Sequence, residues 1–83
     1  MFYIYILRSM CSGKSYIGCT DNLLRRYGEH SRNEEKATKG HGPWEMIHWE
    51  SFKTLSEARK REQFLKTGFG YMWRKKNNLL PLN

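Results

Sequence analysis

Nowhere in these 83 residues does an apolar run approach the roughly 20 positions needed to cross a bilayer. Phe2 to Leu7 is apolar, yet it has neither a basic leader nor a small-residue cleavage site, so it does not read as a signal peptide. Both absences point to a cytoplasmic protein without a membrane partner. Cysteine is scarce: Cys11 and Cys19 are the two present, and their spacing matches no metal or redox motif. A bridge between them across a hairpin is geometrically conceivable, but reduced thiols are the expectation in the cytosol. The three histidines, His30, His41 and His48, are too scattered to suggest zinc. Repeats, linkers and a second domain are also missing, which leaves one domain over residues 1–83. A chain this short hides only about 60–65% of its unfolded surface, so its core must be compact.

Acidic residues are in short supply as well. Fifteen Lys and Arg face eight Asp and Glu, for a net charge of +7. That imbalance favours a polyanionic partner, nucleic acid ahead of anionic membrane. A basic surface with no partner would give the same count, and charge alone separates the two only weakly.

What is present begins with a dense β-forming run, Phe-Tyr-Ile-Tyr-Ile-Leu at residues 2–7. Ser12-Gly13 signals a turn, and Ser15 to Cys19 reads as the returning strand. Period-two alternation puts Tyr3, Tyr5 and Leu7 on one face and Phe2, Ile4 and Ile6 on the other. Tyr16 and Gly18 alternate in the same way with Ile17 and Cys19. Both faces are largely apolar, so helices are expected on each side.

Thr20 or Asp21 is placed to cap a helix running to about His30, with Leu23, Arg26, Tyr27 and His30 on one face. Residues 31–43 are polar and punctuated by Gly40, Gly42 and Pro43, the pattern of a loop. Trp44 to Phe52 reads as a third strand at a sheet edge. Thr54 with Glu57 fits a capping box for a helix through about Thr67, which Gly68 would terminate. Tyr71, Met72 and Trp73 then precede Arg74, Lys75 and Lys76 in a short third helix ending before Pro81.

Three groups of residues suggest chemistry. Glu62 falls within the apolar stripe of Leu55, Ala58 and Leu65, where an unpaired carboxylate is costly to bury. It requires a cation, a metal or a water-filled cleft; a pair with Arg26 and a Mg²⁺ site account for it about equally. Arg26 and His30 project together, and a guanidinium there can grip a phosphate oxygen while an imidazole moves a proton. A salt bridge for Arg26 and a half-exposed surface imidazole for His30 are the plainer alternatives. Tyr5 and Tyr16 share a sheet face if the hairpin pairs residues whose numbers sum to an odd value. Gly18 would then leave room for a ligand beside them. Two tyrosines are more often simply core packing. Hydroxyls, a cation and a carboxylate in one place suit metal-assisted hydrolysis of a phosphodiester.

Tyr3-Ile4-Tyr5 and Tyr16-Ile17-Gly18 resemble the two signature triplets of the GIY-YIG nuclease superfamily, with Tyr3 where the first motif has glycine. The run from Tyr16 to Arg26 continues that pattern into the first helix, and Ser56 to Glu62 is similar to the segment bearing the family's metal-binding glutamate. The likeness covers nearly the whole chain and is closest to small stand-alone bacterial members. It implies an α+β fold: a three-stranded antiparallel sheet flanked by helices in the order β-β-α-β-α-α. It also implies Mg²⁺-dependent endonuclease cleavage of DNA, with Mn²⁺ as a substitute metal. By the same resemblance Tyr5 and Tyr16 are the paired tyrosines, one helping to activate water. Arg26 steadies the scissile phosphate, His30 matches a histidine found in some relatives, and Glu62 holds the metal.

Two positions depart from the pattern. Cys19 stands where some relatives have lysine, and a family asparagine near the C-terminal end would correspond to Asn83. No DNA-recognition domain is attached. The expected substrate is therefore structured or damaged DNA, or RNA, with a protein partner as one source of specificity; a domain that binds without efficient cutting is the alternative. Gly18 would make room for the nucleic acid. Arg25, Arg32, Lys36, Lys39 and His41, with the tail Arg74, Lys75 and Lys76, would grip flanking phosphates. Trp44 and Trp73 offer stacking faces for bases, with core or rim packing as the commoner role.

Overall fold

The computed structural model describes residues 1–32 and 38–79. Its elements run β1 (Phe2–Ser9), β2 (Ser15–Thr20), α1 (Leu23–Ser31), β3 (Trp44–Phe52), α2 (Leu55–Leu65) and α3 (Gly68–Lys76). This is the expected α+β order. β1, the most apolar strand, is central and antiparallel to both neighbours in a β2-β1-β3 sheet. Its Ile4, Tyr5, Ile6 and Leu7 are each at most 1% exposed, because helices cover both sides.

The β1–β2 register pairs Tyr5 with Gly18 and Leu7 with Tyr16. Partner numbers sum to 23, an odd value, so Tyr5, Tyr16 and Gly18 do share a face. Between β1 and β3 the register shifts after Ile6, which pairs with His48 while Leu7 pairs with Met46. The extra residue, Ile47, lets Met46 join one core and Ile47 the other.

Two cores result. Ile4, Ile6 and Ile17 pack against Ala58 and Leu65 of α2, with Trp73 of α3 at the margin. On the opposite face Tyr5, Leu7 and Trp44 pack with Tyr16, Leu23, Tyr27 and Met46 beneath α1. The Tyr27 hydroxyl donates to the Trp44 carbonyl at 2.7 Å and holds α1 to β3.

Helix boundaries differ from expectation in two places. Asn22, not Thr20 or Asp21, caps α1: its backbone is extended and its side chain accepts from the Arg25 amide. Thr20 Oγ1 instead accepts from the Asn22 amide at 3.1 Å, which turns the chain off β2. Gly68 does not end α2 but opens α3, whose cap is Thr67, accepting from the Gly70 amide. The expected cap of α2, Thr54 with Glu57, is present. Gly70 permits the tight α2–α3 corner, since a Cβ there would strike the Phe64 carbonyl and the Leu65 backbone.

A polar network locks α2 and α3 onto β3. Arg61 donates twice to Glu50, at 2.9 and 3.2 Å, and Glu50 also bonds His48 Nε2 at 2.8 Å. The Arg61 guanidinium lies 4.5 Å from the Trp73 ring centre and 5.2 Å from that of Phe64. Burial pushes the Glu50 carboxyl up, but the Arg61 and His48 bonds outweigh it and hold the group below the usual carboxylate range. No helix among the described residues is long and apolar enough to cross a membrane.

Candidate active site

Period-two alternation in β1 and β2 sends Tyr5 and Tyr16 to the face that α1 covers, and helical spacing turns Arg26 and His30 toward them. The Tyr5 hydroxyl lies 2.9 Å from His30 Nε2 and receives Arg26 Nε at 3.3 Å. The Tyr5 and Tyr16 ring centres are 6.2 Å apart, and Tyr16 is 4.9 Å from His30. Four of the residues singled out from the sequence thus form one cluster.

Arg26 Nε can only donate, so the Tyr5 oxygen accepts from it. His30 Nε2 is hydrogen-bonded to that same hydroxyl, and His30 Nδ1 to Thr38 Oγ1 at 2.7 Å. Thr38 is in turn anchored through its carbonyl, which accepts from Trp44 Nε1 at 3.1 Å. His30 is fully buried, not the half-exposed imidazole that a surface helix would present. Burial pushes the Tyr5 phenol well above its ordinary value despite the opposing pull of Arg26.

Gly18 does not leave a ligand space. A Cβ at Gly18 would stand 2.5 Å from the Tyr5 hydroxyl and 3.0 Å from Tyr16 Cε1, so the two rings fill that space themselves. Gly18 is buried, and its missing side chain makes room for the Tyr5 phenol.

Arg26 Nη1 pairs with Glu29 at 3.0 Å. Glu62 instead meets Lys66, whose Nζ lies 3.1 Å from Oε2, so the expected alternative of a Glu62–Arg26 pair is replaced by two local pairs. The Glu62 side chain is 16% exposed on α2, across the sheet from Tyr5. It lies near Cys19 of edge strand β2: burial and the Glu62 carboxylate both raise the Cys19 thiol, and Arg59 opposes them.

The two sides meet around the β2 edge. An open pocket of about 370 Å³ there is lined by Arg25 and Arg26 from α1, Cys19 from β2 and Arg59 from α2. Among the described residues no group of three or more His, Cys, Asp or Glu could hold a metal. One carboxylate oxygen engaged by a lysine still fits a Mg²⁺ that keeps most of its waters.

Arg25 is half-exposed and paired with Asp21 at 3.0 Å. Arg32 and Lys39 are exposed, and His41 is half-buried in the turn that accepts from Ser9. Lys75 and Lys76 are exposed in the last turn of α3, while Arg74 Nε is buried there without a hydrogen-bond partner among the described residues. Lys36 and Asn83 lie outside the described residues. Trp44 is buried in the core, and Trp73 is half-buried with the Arg61 guanidinium over its ring.

Sequence reasoning missed Thr38, Trp49 and Arg59. No local pattern marks Thr38 in its loop. Trp49, 54% exposed beside Tyr3, is signalled by its alternation within β3. Arg59 precedes Glu62 by three residues and so by one turn of α2, a spacing that was legible.

The sequence matches the GIY-YIG catalytic domain over residues 1–78. It is 38% identical to a UPF0213 protein of Clostridium perfringens over 68 residues, which cover 80% of this chain and 71% of that one. It is 42% identical to one from Listeria monocytogenes, covering 77% and 71%, and 39% identical to one from Natronomonas pharaonis, covering 78% and 76%. No solved structure matches. The triplets in paired strands, the arginine and histidine one turn apart on α1, and a match across almost the whole chain place it in one group: the chain belongs to the GIY-YIG family.

Proposed function

We propose that this protein is a Mg²⁺-dependent endonuclease that hydrolyses phosphodiester bonds in DNA, selecting structure rather than sequence. A GIY-YIG catalytic domain implies nuclease-type activity on nucleic acid; the metal and the choice of DNA are our inference. The observation that carries it is the Tyr5–His30–Arg26 constellation with Tyr16 beside it.

In this reading Arg26, anchored by Tyr5 and Glu29, offsets the negative charge that develops on the phosphate. Tyr16 is less buried than Tyr5 and orients the attacking water. The water's proton passes to the Tyr16 oxygen, the Tyr16 hydrogen to Tyr5, and the Tyr5 hydrogen to His30 Nε2. His30 ends protonated, so no isolated phenolate has to form in a buried site. Glu62 would hold a Mg²⁺, with Mn²⁺ as substitute, and the ion would supply Lewis-acid stabilisation of the phosphate oxygens.

A second reading is a DNA- or RNA-binding module with little turnover, favoured by the Lys66 ammonium already resting on Glu62. Nicking of supercoiled plasmid with and without Mg²⁺, by wild type and Glu62→Ala, decides between them. The nuclease reading expects Mg²⁺-dependent nicking that the substitution abolishes. Equal activity in the two proteins removes Glu62 from the mechanism. Binding without cleavage on flaps, nicks and single strands selects the module.

A further inference from the structure

Neither the cores nor the ion-pair network uses Arg59. It stands one turn before Glu62 on α2, and α2 is held in place by Ala58 and Leu65, both fully buried against the sheet. This fixes the side from which Arg59 leaves the helix. It lines the β2-edge pocket together with Arg25 and Arg26, although those two come from α1 on the opposite face of the sheet. Only at an edge strand can helices on both faces reach one pocket, and β2 is such a strand.

The three arginines differ in their partners. Arg25 is paired with Asp21 and Arg26 with Glu29. Arg59 ion-pairs with no carboxylate among the described residues; the Cys19 thiol, its electrostatic neighbour, lines the same pocket. Asp21 and Glu29 line the pocket as well and offset Arg25 and Arg26, so the Arg59 guanidinium is the charge there that a strongly hydrogen-bonding anion would balance. Within a GIY-YIG domain, which acts on nucleic acid, such an anion is a backbone phosphate.

We infer that Arg59 is a second phosphate contact, so that the pocket holds a nucleic-acid phosphate between Arg26 of α1 and Arg59 of α2 and leads the strand across the β2 edge toward Glu62. This assignment rests on the nucleic-acid reading above. It adds a path: the backbone wraps around the sheet edge instead of lying on one face.

The test is binding of labelled duplex and single-stranded DNA at a series of salt concentrations without divalent metal. The proteins are wild type, Arg59→Ala, Arg59→Lys and, at the far end of the hairpin, Lys14→Ala. Arg59 is an exposed helix position, so both substitutions keep the fold, which circular dichroism checks. Losing one phosphate contact lowers the slope of log K against log salt by about 0.9 for duplex or about 0.7 for single strands. That loss is expected for Arg59→Ala, with wild-type slope in Arg59→Lys and Lys14→Ala. An Arg59→Ala protein with wild-type slope and affinity overturns the inference, and it leaves the nuclease reading standing if the wild type cleaves. A wild type that binds without cleaving, with a slope that falls in Arg59→Ala, supports Arg59 and removes only the cleavage claim. A wild type showing no salt-sensitive binding overturns both.

Discussion

The Tyr5 hydroxyl is hydrogen-bonded to His30 Nε2 at 2.9 Å and accepts from Arg26 Nε at 3.3 Å. Residues 25 positions apart in the chain are thereby joined in a buried site, and the bond couples the first signature strand to the helix that supplies the arginine. Replacing His30 with alanine opens a cavity and removes a buried hydrogen-bond partner of Tyr5. The expected loss is about 2–4 kcal/mol of stability in urea unfolding. His30→Gln retains a side-chain acceptor, so it should recover part of that stability but not the proton transfer. Nicking should therefore remain low in both variants.

Gly18→Ala tests the packing of the tyrosines directly. The added methyl meets the Tyr5 hydroxyl and ring, so the phenol must swing away from His30 and Arg26. A loss of about 1–3 kcal/mol is expected, from thermal or urea unfolding. Cleavage should fall further than DNA affinity, since the displaced group belongs to the tyrosine pair and not to the basic surface.

Tyr5 also predicts behaviour in alkali. Its folded pKa is raised above the ordinary 10.0, so unfolding releases its proton more readily. Its stability contribution is intact below pH 10.0 and is lost as pH rises from there toward the folded value. Unfolding measured across this range should decline less steeply for Tyr5→Phe than for the wild type.

Acid acts through Glu50, with the opposite sign. Its folded pKa lies below the ordinary 4.5, so the stability it contributes is present above 4.5 and lost as pH falls through the folded value. Glu50→Gln should lose that part of the acid dependence. Arg61→Ala removes both the pair and the cation–π stacking, and is expected to cost about 1–2 kcal/mol at neutral pH.

Lys66 pairs with Glu62, and in the proposed mechanism it would compete there with Mg²⁺. Lys66→Ala should lower the Mg²⁺ concentration needed for half-maximal nicking without changing the fold. An unchanged Mg²⁺ requirement would show that the pair does not bear on metal binding.

Much of this was legible in the chain itself. Alternation grouped Tyr5 with Tyr3 and Leu7, and Tyr16 with Gly18, because side chains on strands alternate whatever the partner; the hairpin register then set the two tyrosines on one face. Helical spacing aligned Arg26 with His30, and the Thr54–Glu57 cap located the start of α2. These are local rules, set by backbone geometry over a few residues. What the tertiary structure decided was contact between distant segments. It closed the expected space at Gly18 with the Tyr5 ring and buried His30 against Thr38. It also brought Arg59 to the pocket of Arg26 from the opposite face of the sheet. None of these follows from spacing, because each depends on which strand lies at the edge and how closely two helices approach it.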